Sequence, residues 1–296
     1  MSLKYLNLGE VLNSLRVYKK LTIDEIANDI CSVEDFTLYE KGEKYPTLEE
    51  LEEISNKLNV HLSYFFDFSN SGRFNYVICI MKLIEKYKRK RDYKTIYQII
   101  QKEWKNPDFA LKTNKQYLLW HEGICVYYLF KDKKRAVTLL NKAIELTNPS
   151  KNNLSERELE ILTSIAIIEK DDKNYHNALK IFLEAYHFLE NLPHLKDSKV
   201  KLRVLYALAQ LLTKLGKYDN SLKYSIEGIK FCISNESLYL FGELYYQTGE
   251  NYIRIGEYEK GNEYLKKSIS VFELQGNSKF VQLVKIEIEK LVARCC

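Results

Sequence analysis

Small residues recur along the second half of this chain in a register that few architectures can use. Gly216-x-Tyr218-x-x-Ser221 and Gly256-x-Tyr258-x-x-Gly261 lie 40 residues apart, and Tyr175-x-x-Ala178 stands one further period upstream. A second small residue follows each anchor by seven positions, giving the pairs Ala136/Ala143, Ala178/Ala185, Ser221/Gly228 and Gly261/Ser268. Ala166, Ala209 and Gly249 stand twelve positions before three of these anchors. Periods of this length mark one supersecondary unit stacked on the next. One small residue on the first helix and two on the second let the pair approach closely, and the Gly-x-Tyr step closes the turn between them. Four coherent units therefore point to stacked helical hairpins. With only 4 Pro and 11 Gly in 296 residues, long helices with short connections are favoured, and an all-α chain is expected.

The first seventy residues read differently. Leu8, Val11, Leu12 and Leu15 place one apolar face on a helix from Leu6 to Tyr18. Thr22 with Glu25 makes a capping box that starts a short second helix through Ile23, Ile26, Ala27 and Ile30. A third helix begins at Ser32, carries Phe36 and Tyr39 inward and ends at Glu40-Lys41-Gly42. Thr47 with Glu50 caps a fourth, whose buried stripe is expected at Leu48, Leu51, Ile54 and Leu58, and a fifth element runs from His61 to Phe66. Residues 1–68 thus form a small domain, and 69–73, containing Ser69-Asn70-Ser71-Gly72, a joint. Residues 74–296 hold the repeats: a degenerate first unit from Asn75 to Trp104, four further hairpins and a capping helix from Asn277 to Arg294.

Several classes are excluded. The N-terminus has no basic segment followed by an apolar one, and no apolar run approaches a bilayer span, so a cytoplasmic protein without a membrane partner is expected. Six cysteines lie scattered without a CxxC pair, which predicts reduced thiols and no metal site. No Ser/His/Asp or Cys/His spacing and no glycine-rich phosphate loop is present, and His121, His176, His187 and His194 are isolated. Neither an enzyme nor a cofactor follows from such a sequence.

Leu21-Thr22, Ile26-Ala27, Phe36-Thr37, Tyr39-Glu40, Gly42, Pro46, Leu51 and Ile54 stand where lambda-repressor-like (Cro/C1, XRE) helix-turn-helix domains carry their framework residues, and the first sixty residues resemble that family. The resemblance implies that the third helix enters the major groove of double-stranded DNA. Candidate base-facing residues are Val33, Glu34, Asp35, Thr37 and Leu38, while Lys41, Lys44 and the helix starts at Thr22 and Ser32 are candidates for the phosphates. This pattern departs from the usual polar readers. Residues 1–70 carry 7 Lys and Arg against 13 Asp and Glu, a net −6, whereas the whole chain carries +5. Phosphate neutralisation ordinarily supplies most of the affinity for nucleic acid, so an acidic reading domain is anomalous.

The hairpins resemble tetratricopeptide repeats, which implies a right-handed superhelix whose concave side is lined by the first helix of each pair. Counting back from each anchor gives the groove candidates. They are Glu85, Lys88 and Arg89 in the first unit; His121, Cys125 and Tyr128 in the second; Thr163, Ile167 and Lys170 in the third; Tyr206, Gln210 and Thr213 in the fourth; and Tyr246, Glu250 and Ile253 in the fifth. Aromatic rings mixed with hydrogen-bonding groups suit a short peptide.

Taken whole, the layout resembles the peptide-responsive regulators of the RRNPP family, and most closely its PlcR branch. Leu21 to Pro46 and Phe241-Gly242-Glu243-Leu244-Tyr245-Tyr246-Gln247-Thr248-Gly249-Glu250 carry the nearest likeness. The resemblance implies a homodimer that binds palindromic DNA and is switched by a secreted oligopeptide re-imported into the cytoplasm. Thr163 stands where relatives carry a peptide-clamping asparagine, which implies a paralogue with its own signal. The other reading, favoured by Glu34, Asp35 and the −6 charge, is a protein-binding scaffold or anti-activator whose head no longer binds DNA.

Overall fold

The computed structural model describes residues 8–68 and 72–293, and every regular element in them is helical. Five short helices form the head: α1 (Leu8–Tyr18), α2 (Ile23–Ala27), α3 (Val33–Lys41), α4 (Leu48–Leu58) and α5 (Ser63–Phe68). Local chemistry fixes their starts. Thr22 Oγ1 accepts from the Glu25 amide at 3.1 Å while the Glu25 carboxylate accepts from the Thr22 amide at 2.7 Å. Thr47 and Glu50 repeat the device at 3.2 and 2.6 Å, and Ser32 Oγ accepts from the Asp35 amide at 3.0 Å. Gly42 ends α3 at φ +72°, in the left-handed region that a β-carbon disfavours. α2 stops at Ala27, short of the Ile30 that its apolar spacing suggests, because the chain turns there and Asp29 takes φ +60°.

One core joins these helices: Leu8, Leu12, Leu15, Ile26, Ala27, Phe36, Tyr39, Leu51, Ile54, Leu58 and Phe65. Leu48 does not belong to it. As the first residue of α4 it lies at the open end of the helix and is 60% exposed, so the apolar stripe begins one turn later, at Leu51.

The remaining helices are paired: α6 (Gly72–Arg89) with α7 (Tyr93–Glu103), α8 (Lys112–Phe130) with α9 (Lys133–Thr147), and α10 (Glu156–Asp171) with α11 (Tyr175–Glu190). α12 (Ser198–Lys214) pairs with α13 (Tyr218–Ser234) and α14 (Phe241–Arg254) with α15 (Tyr258–Leu274), and α16 (Ser278–Ala293) closes the array. The chain divides into two compact units, 1–114 and 115–296, so the first hairpin groups with the head. Of the expected joint, residues 69–71 lie outside the described residues. No helix among the described residues is long and apolar enough to cross a membrane.

The anchors sit where helices touch. Ala136, Ala143, Ala166, Ala178, Ala185, Ala209, Ser221 and Ser268 are fully buried. Between α14 and α15 the approach is closest: a β-carbon on Gly249 would stand 2.9 Å from the Gly261 carbonyl oxygen, and one on Gly261 would stand 2.5 Å from Ile253 Cγ1.

Each hairpin turns through one left-handed residue two positions before its second helix. Gly216 and Gly256 hold it at φ +72° and +88°, but Arg91, Lys131 and Lys173 hold it at +56°, +57° and +66°. A β-carbon in that region costs about 1 kcal/mol relative to glycine. Lys173 is exposed, so Lys173→Gly should stabilise the chain by about 0.5–1 kcal/mol, seen as a raised urea midpoint with unchanged slope.

Candidate functional site

In the head, α3 presents Val33, Glu34, Thr37 and Leu38 outward, with Val33 45% exposed, while Phe36 and Tyr39 anchor its other face. Its position is set by α1. A β-carbon on Gly9 would stand 2.3 Å from the Glu40 carbonyl oxygen, so the two backbones lie in direct contact. Arg16 forks onto the Glu40 carboxylate, Nε to Oε1 at 2.6 Å and Nη2 to Oε2 at 3.0 Å, and donates from Nη1 to the Leu21 carbonyl at 3.0 Å. The Tyr39 hydroxyl donates to the Glu50 carboxylate at 3.1 Å, which ties α3 to α4.

Several phosphate candidates are already engaged. The Thr22 amide donates to Glu25, and the Thr22 hydroxyl also donates to that carboxylate at 2.9 Å. Ser32 Oγ is occupied as the α3 cap. Lys44 Nζ pairs with Asp35 Oδ1 at 2.6 Å, and this contact holds the Asp35 carboxyl below its ordinary range. Thr37 donates back to the Val33 carbonyl at 2.7 Å. Lys41 is exposed at the end of α3.

In the second unit, the first helices of successive hairpins are joined by a ladder of polar contacts. Trp120 Nε1 on α8 donates to Ser164 Oγ on α10 at 2.8 Å, and the Tyr128 hydroxyl donates to Asp171 at 2.8 Å. Arg203 on α12 pairs with Glu160. Lys170 Nζ meets Gln210 Oε1 at 3.4 Å, and Gln210 Nε2 donates to the Tyr206 hydroxyl at 2.7 Å. Gln247 on α14 donates to Thr213 Oγ1 at 2.8 Å and to Glu250 at 3.2 Å. Beneath them the fully buried Asn251 donates to Ser221 Oγ at 2.7 Å and accepts from Thr213 at 2.7 Å. Ile167, Lys170, Tyr206, Gln210, Thr213, Tyr246, Glu250 and Ile253 lie on this face and remain partly open to solvent. Burial raises the Tyr206 and Tyr246 phenols and the Glu243 carboxyl, and it lowers the Lys170 amine.

Three groove candidates are buried and therefore do not face open space. His121 is 1% exposed between the rings of Tyr117 and Trp120, at centroid distances of 4.2 and 4.4 Å. Cys125 is fully buried, and Thr163, 4% exposed, donates back to the Leu159 carbonyl at 2.7 Å. Counting back from the anchor rotates these positions into the packing. The neighbours Ser164 and Glu160 are the ones that reach across, and Gln247 and Asn251 were likewise missed. In the first unit, Glu85 and Lys88 pair at 2.8 Å within one turn, and Arg89 is exposed.

The thiols follow burial. The Cys125 and Cys232 thiols are pushed up to about 12 by desolvation, whereas Cys79 is exposed on α6. Among these three, brief iodoacetamide treatment at pH 8 should label Cys79 alone, as read by peptide mass mapping. No group of His, Cys, Asp and Glu among the described residues is arranged to hold a metal.

No curated protein matches the sequence. Among solved structures, Bacillus thuringiensis PlcR in complex with the peptide PapR7 and DNA superposes with a TM-score of 0.76 at 23% identity, covering 94% of this chain and 98% of that one. The SHP pheromone receptor Rgg2 of Streptococcus dysgalactiae gives 0.65 at 16% identity, covering 96% and 99%. ComR from S. thermophilus, in complex with DNA and its signalling peptide ComS, gives 0.59 at 15%, also covering 96% and 99%. At such identities these likenesses concern the fold: a helix-turn-helix head followed by tetratricopeptide-like hairpins. The model of the RNPP family C-terminal domain matches residues 81–291, well over half of the sequence, and the chain therefore belongs to the RNPP family.

Proposed function

We propose that this chain is a cytoplasmic, peptide-responsive transcriptional regulator that binds palindromic DNA as a homodimer. A short re-imported signalling peptide occupies the face built by α10, α12 and α14. The observation that carries this reading is the polar and aromatic ladder along that face. Lys170, Gln210, Tyr206, Gln247 and Glu250 offer donors and acceptors at the spacing of a peptide backbone, with Ile167, Tyr246 and Ile253 as apolar contacts. The solved relatives whose structures contain a signalling peptide and DNA share this fold. Switching is a population shift: the peptide favours one arrangement of the hairpins and so fixes the spacing of two heads on half-sites about 34–36 Å apart.

The test is a selection from random duplex DNA on the purified protein, at low and moderate salt, with and without a pool of short synthetic peptides. Enrichment of a palindrome only with peptide is the expected result. A palindrome enriched equally in both conditions removes the peptide switch. The scaffold reading is favoured by one observation, the pairing of Lys44 with Asp35 on a head of net −6. It predicts no DNA-dependent signal at any salt concentration.

A further inference from the structure

The α6–α7 hairpin is as basic as the head is acidic. Residues 72–112 carry eleven Lys and Arg against four Asp and Glu, a net +7. The excess concentrates at the tip, where Lys86, Arg89, Lys90, Arg91 and Lys94 are all exposed. The nearby acids are turned to other tasks: Glu85 pairs with Lys88 at 2.8 Å, and Asp92 caps α7 by accepting from the Thr95 amide at 3.1 Å and its hydroxyl at 2.7 Å. No ion pair joins any of the five cations to an acidic group among the described residues.

Local structure does not account for this cluster. One or two cations complement a helix C-terminus, and α12 and α14 end with one each, Lys214 and Arg254. Five within nine residues repel one another. Arg91 moreover occupies the left-handed turn position, φ +56°, which Gly216 and Gly256 fill in later hairpins without strain. Charge and backbone strain are thus both retained at one exposed tip, the kind of local conflict that marks a binding surface.

We propose that this tip is a second nucleic-acid contact, gripping the phosphate backbone of DNA through Lys86, Arg89, Lys90, Arg91 and Lys94. The inference rests on the reading of the chain as a DNA-binding regulator and supplies what that reading lacks. The head has net −6, and its Lys44 is paired with Asp35, so the electrostatic part of DNA affinity must come from elsewhere in the chain. The hairpin follows the head directly in sequence. The 18 residues of α6 span about 27 Å, less than the roughly 34 Å of one DNA turn, so the tip stays within a turn of phosphates flanking the site that the head reads. The contact is sequence-independent: it sets affinity and salt dependence, while α3 is left to discriminate bases.

The experiment measures Kd of the full-length protein for a mixed-sequence duplex of about 30 base pairs, enough for two half-sites, across a salt series. The combined variant Lys86→Gln, Arg89→Gln, Lys90→Gln, Lys94→Gln should lower the slope of log K against log salt by about 3, close to 0.9 per lost phosphate contact. Arg91→Gly should lower it by about 1 and at the same time raise the melting temperature, a pairing of signs that a merely structural role does not produce. A wild-type slope in both variants overturns the contact; if the same proteins still enrich a palindrome with peptide, the regulator reading stands without it. A wild type that binds no DNA at any salt overturns both. Loss of binding to phosphatidylserine-containing vesicles with an unchanged DNA slope assigns the tip to a membrane surface and overturns the DNA contact.

Discussion

Glu40→Ala should destabilise the head by about 3 kcal/mol and lower operator affinity at least tenfold, leaving the hairpins folded. Arg16 and Glu40 are 14% and 8% exposed and form a two-pronged pair, which Asn13 extends by donating to the same carboxylate at 3.0 Å. Removing the carboxylate leaves a largely buried guanidinium with only the Leu21 carbonyl. Severing a buried pair costs about 3–5 kcal/mol, an exposed one less than about 1, and the slight exposure here places the figure near the lower end of the buried range. The damage is local because the pair links α1 to α3 at the contact that Gly9 permits, so α3 loses its fixed angle. Amide exchange should speed up in α1–α4 and stay unchanged in α12–α15. Replacing both partners, Arg16→Met with Glu40→Leu, should recover most of the loss, because no unpaired charge remains. Equal exchange in wild type and Glu40→Ala would falsify the assignment.

How much of this was legible in the sequence depends on whether a contact leaves its mark on residue type. Close helix approach does, since only small side chains allow it, and the anchors from Ala136 to Ser268 were found on that basis alone. Gly123 makes the same approach to Ala136 and Leu140 yet escaped, because it stands thirteen residues before its anchor where the others stand twelve. Capping boxes also leave a mark, and the Thr22 and Thr47 boxes form as written. The left-handed turn left a mark only at Gly216 and Gly256; where Arg91, Lys131 and Lys173 tolerate the strain, nothing in the sequence announces it. Rotation about a helix axis is harder still. A first helix lies against its own partner and its neighbours, as α12 does against α11, α13 and α14, so its open stripe is narrow. An error of one position, about 100° of rotation, puts Thr163 inside and Ser164 on the ladder. Charge pairing across the chain is not encoded locally at all, which is why Lys44 read as a phosphate ligand until Asp35 was found beside it.

The Lys170→Met variant should show opposite effects on the two halves of the proposed switch: a more stable empty protein and a peptide affinity ten- to a hundredfold weaker. Burial holds the Lys170 amine below its ordinary range, and Lys214 lowers it further, while Asp171, which favours the charge, has its carboxylate engaged by the Tyr128 hydroxyl at 2.8 Å. The amine therefore carries a desolvated charge whose nearest acceptor is the Gln210 carbonyl at 3.4 Å. Its charged form is disfavoured in the fold relative to the unfolded chain, so at neutral pH it costs stability, and exchange for an apolar side chain should gain about 1 kcal/mol. The sign with pH follows. The unfolded chain holds the proton more tightly, so wild-type stability rises relative to Lys170→Met as pH climbs through the folded value, and the gap closes near the unfolded value of about 10.4. An anionic group on the peptide supplies the missing partner. A hydrogen bond to a charged group contributes about 1.5–3 kcal/mol, which sets the affinity loss, and bringing an anion to a depressed amine raises its proton affinity. Peptide binding above neutral pH should therefore take up protons, measurable as a dependence of the calorimetric enthalpy on buffer ionisation that vanishes in Lys170→Met. Unchanged affinity for the peptide recovered from the selection, with no buffer dependence in the wild type, would remove Lys170 from the peptide site and shift the search along the ladder to Gln247 and Glu250.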